Sequence, residues 1–220
     1  MGYIALPQNN SLLRCLLLLC LMCFGSWCKA ASSRPDPFGP VRSSSQLSAA
    51  LADIKLVDQT GAAFNWAQLR GRVVLLNFIF TKCATVCPIQ THQLQKLQQR
   101  IIQENPAVPL ALVSVSLTPL WDTPDVLSKY AQQYKIPNDN SWRLLTGDVT
   151  EVEAMMVALG MKATAGERQH GVKGNLQLSH LTNFYLFDPF GRLKKQYDGT
   201  TVASDRLVHD IVRLNHVSQR

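Results

Sequence analysis

The stretch "FTKCATVCP", residues 80 to 88, places Cys83 and Cys87 four positions apart with Pro88 directly after the second. Two thiols this close support three kinds of chemistry: a structural disulfide, thiol–disulfide exchange, or binding of a soft metal ion. The reactive species in the last two is the thiolate. A cysteine near a helix N-terminus meets unsatisfied N–H groups and the positive end of the helix dipole, which favour the thiolate over the thiol. Lys82 adds a positive charge beside Cys83, so at least one of the pair is expected to ionise easily. Redox shuttles usually separate their cysteines by two residues. Three residues place the sulfurs about one helical turn apart on the same side, where they can close a disulfide or converge on one ion. A purely structural disulfide is the weaker reading, because so short a loop restrains little of the unfolded chain.

Two thiolates suit Cu(I), and an added imidazole gives a donor set that also accommodates Cu(II). The chain has five histidines. His92 follows Cys87 by five positions, off the cysteine face, and reads as a surface residue. His209 and His216 fall in a C-terminal amphipathic pattern, and His170 lies in the polar run "GERQHGVKGN". His180 differs: "LSH" stands one residue before the run "TNFYLF", at the end of a long loop able to fold over a site. A histidine at a strand edge is more often structural than metal-binding, so spacing alone leaves the third donor open.

These residues need a scaffold. "DIKLVDQTG" and "AAFNWAQLRG" predict a short hairpin and connector, and "RVVLLNFIF" is a continuous apolar run suited to a strand buried on both faces. Cys83 lies just beyond it, and Leu94, Leu97, Ile101 and Ile102 recur at helical spacing behind Pro88, itself suited to a first helical turn. "VPLALVSVSL" predicts a second buried strand. "TPDVLSKYAQQY" predicts a helix capped by Thr123 with Pro124 first. "WRLLTG" is a strand, and "DVTEVEAMMVALG" a helix opened by an Asp148/Glu151 capping box and stopped by Gly160. A polar stretch over 162–179 leads to a hairpin turning at Pro189 to Gly191, then to a final helix, "SDRLVHDIVRLNHV". The order implies an α/β domain with a mixed sheet flanked by helices. With cysteines at a strand-to-helix turn, it matches a thioredoxin-like fold with an N-terminal β-hairpin and a long loop before the His-bearing strand. Met155, Met156 and Met161 read as core filling. Trp66, Trp121 and Trp142 read as packing residues, with Trp121 beside Asp122 close to a partner surface.

The first thirty residues contain no acid and carry the apolar run "CLLLLCLMCFGSW" between Arg14 and Lys29. That run is shorter than the roughly 20 residues of a membrane span. It reads as a signal peptide over 1–30, cleaved near Ala30 or kept as an anchor. Four of the six cysteines leave with it, and Cys83 and Cys87 remain. Residues 31–50, rich in Ser and Pro, read as a flexible linker, and 51–220 as one domain. The 22 Lys and Arg against 15 Asp and Glu give a net charge of +7. These charges are scattered without interleaved aromatics, which argues against nucleic acid as a partner.

The motifs resemble those of the SCO/SenC family over about residues 53–215. "VVLLNFIFTKCATVCP" is similar to the family's strand and Cys-x3-Cys-Pro motif. "SLTPLWDTPDVLSKYA" is similar to its Asp-Thr-Pro segment, and "WRLLTG" and "LSHLTNFYLFDPFGRL" to later landmarks. The resemblance implies a thioredoxin-like, exported, bacterial periplasmic protein of cytochrome c oxidase assembly. It would bind one copper ion, Cu(I) or Cu(II), through Cys83, Cys87 and His180. Its implied partners are the oxidase subunit bearing Cu(A), a periplasmic thiol reductant and another copper chaperone. Three positions depart from the pattern. Ser179 stands where Asp commonly precedes the histidine, Ala84 where Pro is frequent, and "LTPLW" where the family is acid-rich, leaving Asp122. Loss of the acidic neighbour is expected to weaken Cu(II) binding without removing a ligand. Cys83 and Cys87 would also serve a thiol:disulfide oxidoreductase, the alternative activity, as its redox-active pair.

Overall fold

The computed structural model describes residue 2, residues 44–161 and residues 182–218. Seven strands form one sheet in the order β2-β1-β5-β4-β3-β6-β7. They are β1 (Leu56–Asp58), β2 (Ala63–Phe64), β3 (Val73–Ile79), β4 (Leu110–Ser116), β5 (Trp142–Gly147), β6 (Asn183–Phe187) and β7 (Leu193–Asp198). The central β3, β4 and β5 run parallel, while β1, β2, β6 and β7 add antiparallel pairings at the flanks. Among the described residues five helices accompany them: α1 (Ser44–Ala52), α2 (Val86–Glu104), α3 (Pro124–Gln133), α4 (Val149–Ala158) and α5 (Ser204–Ser218), with a 3-10 turn at Trp66–Leu69.

The period of two along β3 divides the core. Val74, Leu76 and Phe78 face one layer, where Leu47 and Leu51 of α1, Trp66, and Val152, Met155 and Met156 of α4 are buried. Val73, Leu75 and Ile79 face the other, with Leu94, Leu97 and Ile101 of α2, Leu127 of α3, and Leu207 and Ile211 of α5. Burial on both faces is what a parallel sheet covered by crossover helices requires. The three methionines near α4 and Trp66 and Trp142 are core residues, as expected.

Several expectations are corrected. The linker stops short of residue 50, because 44–52 form α1. Leu47 and Leu51, one helical turn apart, are buried, and Ser48 Oγ donates to the Gly191 carbonyl at 2.8 Å. Tertiary packing thus stabilises a helix that a Ser-rich composition conceals. The Asp148/Glu151 capping box does not form. Asp148 takes the N-cap backbone position without a side-chain cap bond, and Glu151 Oε2 accepts from the Lys55 N–H at 3.0 Å. Ile102 belongs to α2 but is 62% exposed, since it lies one residue off the Leu94/Leu97/Ile101 stripe. The loop expected over 162–179 lies outside the described residues.

Candidate metal centre

α2 begins at Val86, so Cys87 sits in its first turn and Cys83 precedes it in the connection from β3. The expectation of two cysteines on one helical face is therefore replaced by a different arrangement. Cys83 Sγ lies over the open end of the helix and accepts from the Cys87 N–H at 3.4 Å, with Thr85 Oγ1 3.8 Å away. Both cysteines are free thiols, Cys83 half-buried and Cys87 buried. A helix start leaves its first N–H groups without intrahelical partners, and here one of them is given to sulfur.

The two thiols differ in chemistry. Burial opposes ionisation of Cys83, but donation from the backbone N–H groups of Cys87 and Thr85 and from their side chains outweighs it, leaving its pKa below the ordinary thiol value. Burial pushes the Cys87 thiol up to about 12, and the neighbouring Cys83 and Asp122 charges add to the rise. Cys83 is therefore the more readily ionised of the two thiols, and Cys87 holds its proton at neutral pH. Lys82 does not serve the sulfur as expected. Its ammonium stands 4.1 Å from the centre of the Trp121 ring, which is 54% exposed beside an exposed Leu120.

Asp122 fixes the cysteine-bearing connection. Fully buried before α3, it accepts from the Thr81 N–H at 3.1 Å, Thr81 Oγ1 at 2.5 Å, Ser116 Oγ at 2.6 Å and Thr118 Oγ1 at 3.0 Å. One carboxylate thus ties the end of β4 to the residue two before Cys83. On the other side, Thr91 Oγ1 donates to the Cys87 carbonyl at 2.9 Å and lies 2.7 Å from the buried Tyr130 hydroxyl, which burial keeps protonated.

His180 and His170 lie outside the described residues. His92 is exposed on α2, within 2.9 Å of Gln95 Oε1, and His209 and His216 are exposed on α5. Among the described residues no three His, Cys, Asp or Glu side chains converge as a metal site. Thr182, two residues after His180, is held close to the cysteine helix: its carbonyl accepts from Gln90 Nε2 at 2.6 Å and from the Gly199 N–H at 2.7 Å.

Residues 43–216 match the family model described as SCO1/SenC. The chain belongs to the SCO1/SenC family. The SCO1 protein homolog of Bacillus subtilis (strain 168) is 33% identical over 156 residues, 70% of this chain and 77% of that protein. A Stutzerimonas stutzeri relative, named as a candidate copper-binding protein, is 28% identical over 190 residues, 86% of this chain and 88% of that one. Among solved structures, BsSco, a member of the Sco family of cytochrome c oxidase assembly proteins in which a disulfide switch has been identified, superposes with a TM-score of 0.59. It is 28% identical, over 74% of this chain and 91% of that one. The SCO1/SenC fold is thioredoxin-like, in agreement with the sheet and the position of the cysteine pair.

Sequence reasoning missed two parts of this SCO1/SenC site. Asp122 was legible as an acid before a helix, but its four donors come from Thr81 after β3, from Ser116 at the end of β4 and from Thr118 just beyond it. Gln90 and Gly199 gave less signal still: one is a glutamine in a Gln-rich helix, the other a glycine in a "DGT" turn.

Proposed function

We propose that this chain is an exported copper-binding protein that delivers copper to, or prepares the thiols of, the Cu(A) site of cytochrome c oxidase during assembly. Cys83 and Cys87 as thiolates, with neutral His180, would hold one copper ion, Cu(I) or Cu(II). The observation that carries this reading is the pair itself: an easily ionised Cys83 beside a buried Cys87 at a helix start, a soft donor set. Thr182 supports the third ligand. Gln90, which holds its carbonyl, lies three residues along α2 from Cys87, and neighbours at that spacing are about 5–6 Å apart. In this reading the two residues of chain from Thr182 back to His180, which span at most about 7 Å, would bring the imidazole to the thiols. Copper here is cargo, passed to the oxidase subunit by ligand exchange, with another copper chaperone as its source. Residues 1–30 would direct export to the bacterial periplasm, as a cleaved signal or a retained tether. A periplasmic reductant would keep the dithiol open, since a Cys83–Cys87 disulfide cannot bind the ion.

The asymmetry of the thiols also favours a second reading, thiol:disulfide oxidoreductase. The Cys83 thiolate would attack a disulfide sulfur of a client and displace one client thiolate. Cys87 would then lose its proton and attack Cys83 Sγ, releasing the second client thiolate. Two electrons pass to the client and the Cys83–Cys87 disulfide remains.

The test is a titration of reduced, anaerobic protein with Cu(I) and then Cu(II), alongside His180→Ala and a Cys83/Cys87 double variant. One tightly held ion, with a thiolate-to-Cu(II) charge-transfer band that needs all three residues, supports the copper reading. Absence of stoichiometric binding, together with a readily exchanging disulfide, leaves the oxidoreductase.

A further inference from the structure

We propose that Lys82, Leu120 and Trp121 form a docking surface beside Cys83 for a partner protein segment that carries its reacting sulfur between an apolar and an acidic side chain. The proposal rests on what the two readings above share, that Cys83 meets a sulfur of another protein, and it adds the surface that selects that protein.

Two connections meet at this surface. One runs from β3 to α2 and carries Lys82 and Cys83, and the other runs from β4 to α3 and carries Leu120 and Trp121. The buried carboxylate of Asp122 joins them, accepting from Thr81 on the first and from Thr118 on the second. The second connection is closed on itself, because the Trp121 and Asp122 N–H groups both donate to the Thr118 carbonyl, at 2.8 and 2.9 Å. Leu120 and Trp121 are thus held on a fixed turn while 74% and 54% exposed. Lys82 bridges the two connections, its ammonium 4.1 Å from the centre of the Trp121 ring. Since Lys82 is bonded directly to Cys83, the ring stands within one lysine side chain of the cysteine backbone.

An exposed leucine alone needs no explanation, since much of any protein surface is apolar. Here a leucine and a tryptophan lie side by side next to a half-buried thiol. A partner sulfur that reaches Cys83 brings its neighbouring residues against whatever flanks that thiol, so Leu120 and Trp121 are covered when the two sulfurs meet. Tryptophan is enriched among the residues that dominate such contacts, because its large rigid ring offers wide area at little cost in rotamer freedom. Charge sets the second requirement. Among the described residues Lys82 forms no ion pair, and Asp122, beside Trp121 in the chain, is turned inward to its four donors. A partner carboxylate beside the reacting sulfur gives the ammonium an acid while the ring keeps its cation. A basic segment meets a like charge at the same place. The net charge of +7 acts in the same direction at longer range.

Three blocked synthetic peptides, each with one cysteine activated as a thiopyridyl disulfide, test the surface. The first places leucine before the cysteine and glutamate after it, the second replaces the leucine by alanine, and the third replaces the glutamate by glutamine. The Cys83 thiolate attacks the peptide sulfur, a Cys83–peptide disulfide forms, the thiopyridyl disulfide breaks, and the leaving thiolate takes up a proton as thiopyridone. The full chain carrying Cys87→Ser traps this product, and mass spectrometry of the fragment containing Cys83 reads its rate apart from the other cysteines. Ratios between peptides within one protein cancel any change in the intrinsic reactivity of the thiol. The trapping chain should react about tenfold faster with the leucine peptide than with the alanine one. It should react about two- to fivefold faster with the glutamate peptide than with the glutamine one at low ionic strength, and added salt should remove only this second preference. Trp121→Ala should bring the leucine preference towards one, as should Leu120→Ala to a smaller extent, and Lys82→Gln should abolish the glutamate preference. A ratio near one for either pair before these substitutions, or ratios that survive them, overturns the docking surface while the readings of the dithiol stand. Failure of Cys83 to form a disulfide with any of the three peptides, while iodoacetamide still labels it, removes the shared reading and the inference with it.

Discussion

The backbone N–H of Cys87 points at the sulfur of Cys83 across 3.4 Å, so the second cysteine of the pair serves the first as a hydrogen-bond donor. This makes the dithiol directional. Cys83 is half-buried and ionises below the ordinary thiol value, whereas burial pushes Cys87 up to about 12. Brief alkylation with iodoacetamide at neutral pH, followed by peptide mass spectrometry, should therefore modify Cys83 and spare Cys87. Cys83 should remain reactive in Cys87→Ser, and Cys87 should stay slow in Cys83→Ser. Equal labelling of the two would contradict the asymmetry.

Asp122 is the second support of the pair. Its carboxylate accepts four hydrogen bonds from Thr81, Ser116 and Thr118 while fully buried. Asp122→Asn keeps the shape but replaces one acceptor oxygen by a donor, leaving a buried hydroxyl or N–H facing an amide NH2. Bonds to a charged group contribute about 1.5–3 kcal/mol, so the loss should fall in that range. Urea denaturation gives the value. Because Thr81 precedes Cys83 by two residues, the same variant should also lower the reactivity of Cys83 and its Cu(I) affinity. A full loss of stability with unaltered thiol reactivity would mean that Asp122 holds the fold without positioning the cysteine.

Local signals in the chain carried much of the architecture. "WRLLTG" coincides with β5, and the Pro189–Gly191 turn joins β6 to β7 with Gly191 at φ 74. These features are local: a short, largely apolar run that opens on an aromatic residue and ends in glycine, and a proline and glycine at a turn. What was not legible depends on contacts distant in sequence. α1 is held by Leu47 and Leu51 packing on residues far along the chain, and Asp122 receives two of its four hydrogen bonds from Thr81, 41 residues earlier. Lys82 was expected to serve Cys83 because the two are neighbours in sequence, yet the ammonium stands over Trp121. The cysteines were legible because their chemistry resides in their spacing. His180 rested on its place before "TNFYLF" and on a family resemblance, and it lies outside the described residues.

The domain boundary yields a stability prediction. Leu47 is 4% exposed in the layer formed by α1, α4 and Trp66. Leu47→Ala should cost about 2–5 kcal/mol, the range for emptying a packed leucine site. A chain beginning at residue 51 should be destabilised further, losing also the Ser48 bond to the Gly191 carbonyl at 2.8 Å. One beginning at residue 44 should retain the melting temperature of the longer chain. Thermal unfolding of the three proteins decides this, and equal midpoints for starts at 44 and 51 would restore residues 44–50 to the linker.

Acid should loosen the hairpin from α5 through Asp210. Burial disfavours its charge, but Lys195 at 2.6 Å, the Tyr197 hydroxyl at 2.8 Å and Arg206 at 2.9 Å hold the carboxyl down at about 2. An unfolded aspartate takes up its proton near pH 3.9. Between these values the unfolded chain binds more protons than the folded one, so this contribution is complete above about pH 4 and is lost as pH falls towards 2. Asp210→Asn should be less stable than the parent at pH 7, with the gap narrowing across that window. Asp58, whose carboxyl is also depressed despite burial by Thr60, Ala62 and Arg143, leaves a residual acid dependence in the variant. Urea midpoints measured at pH 7, 4 and 3 should therefore converge for the two proteins. A gap that stays constant with pH would assign the effect of the substitution to packing, and the Lys195–Asp210 ion pair between β7 and α5 would carry no pH-dependent stability.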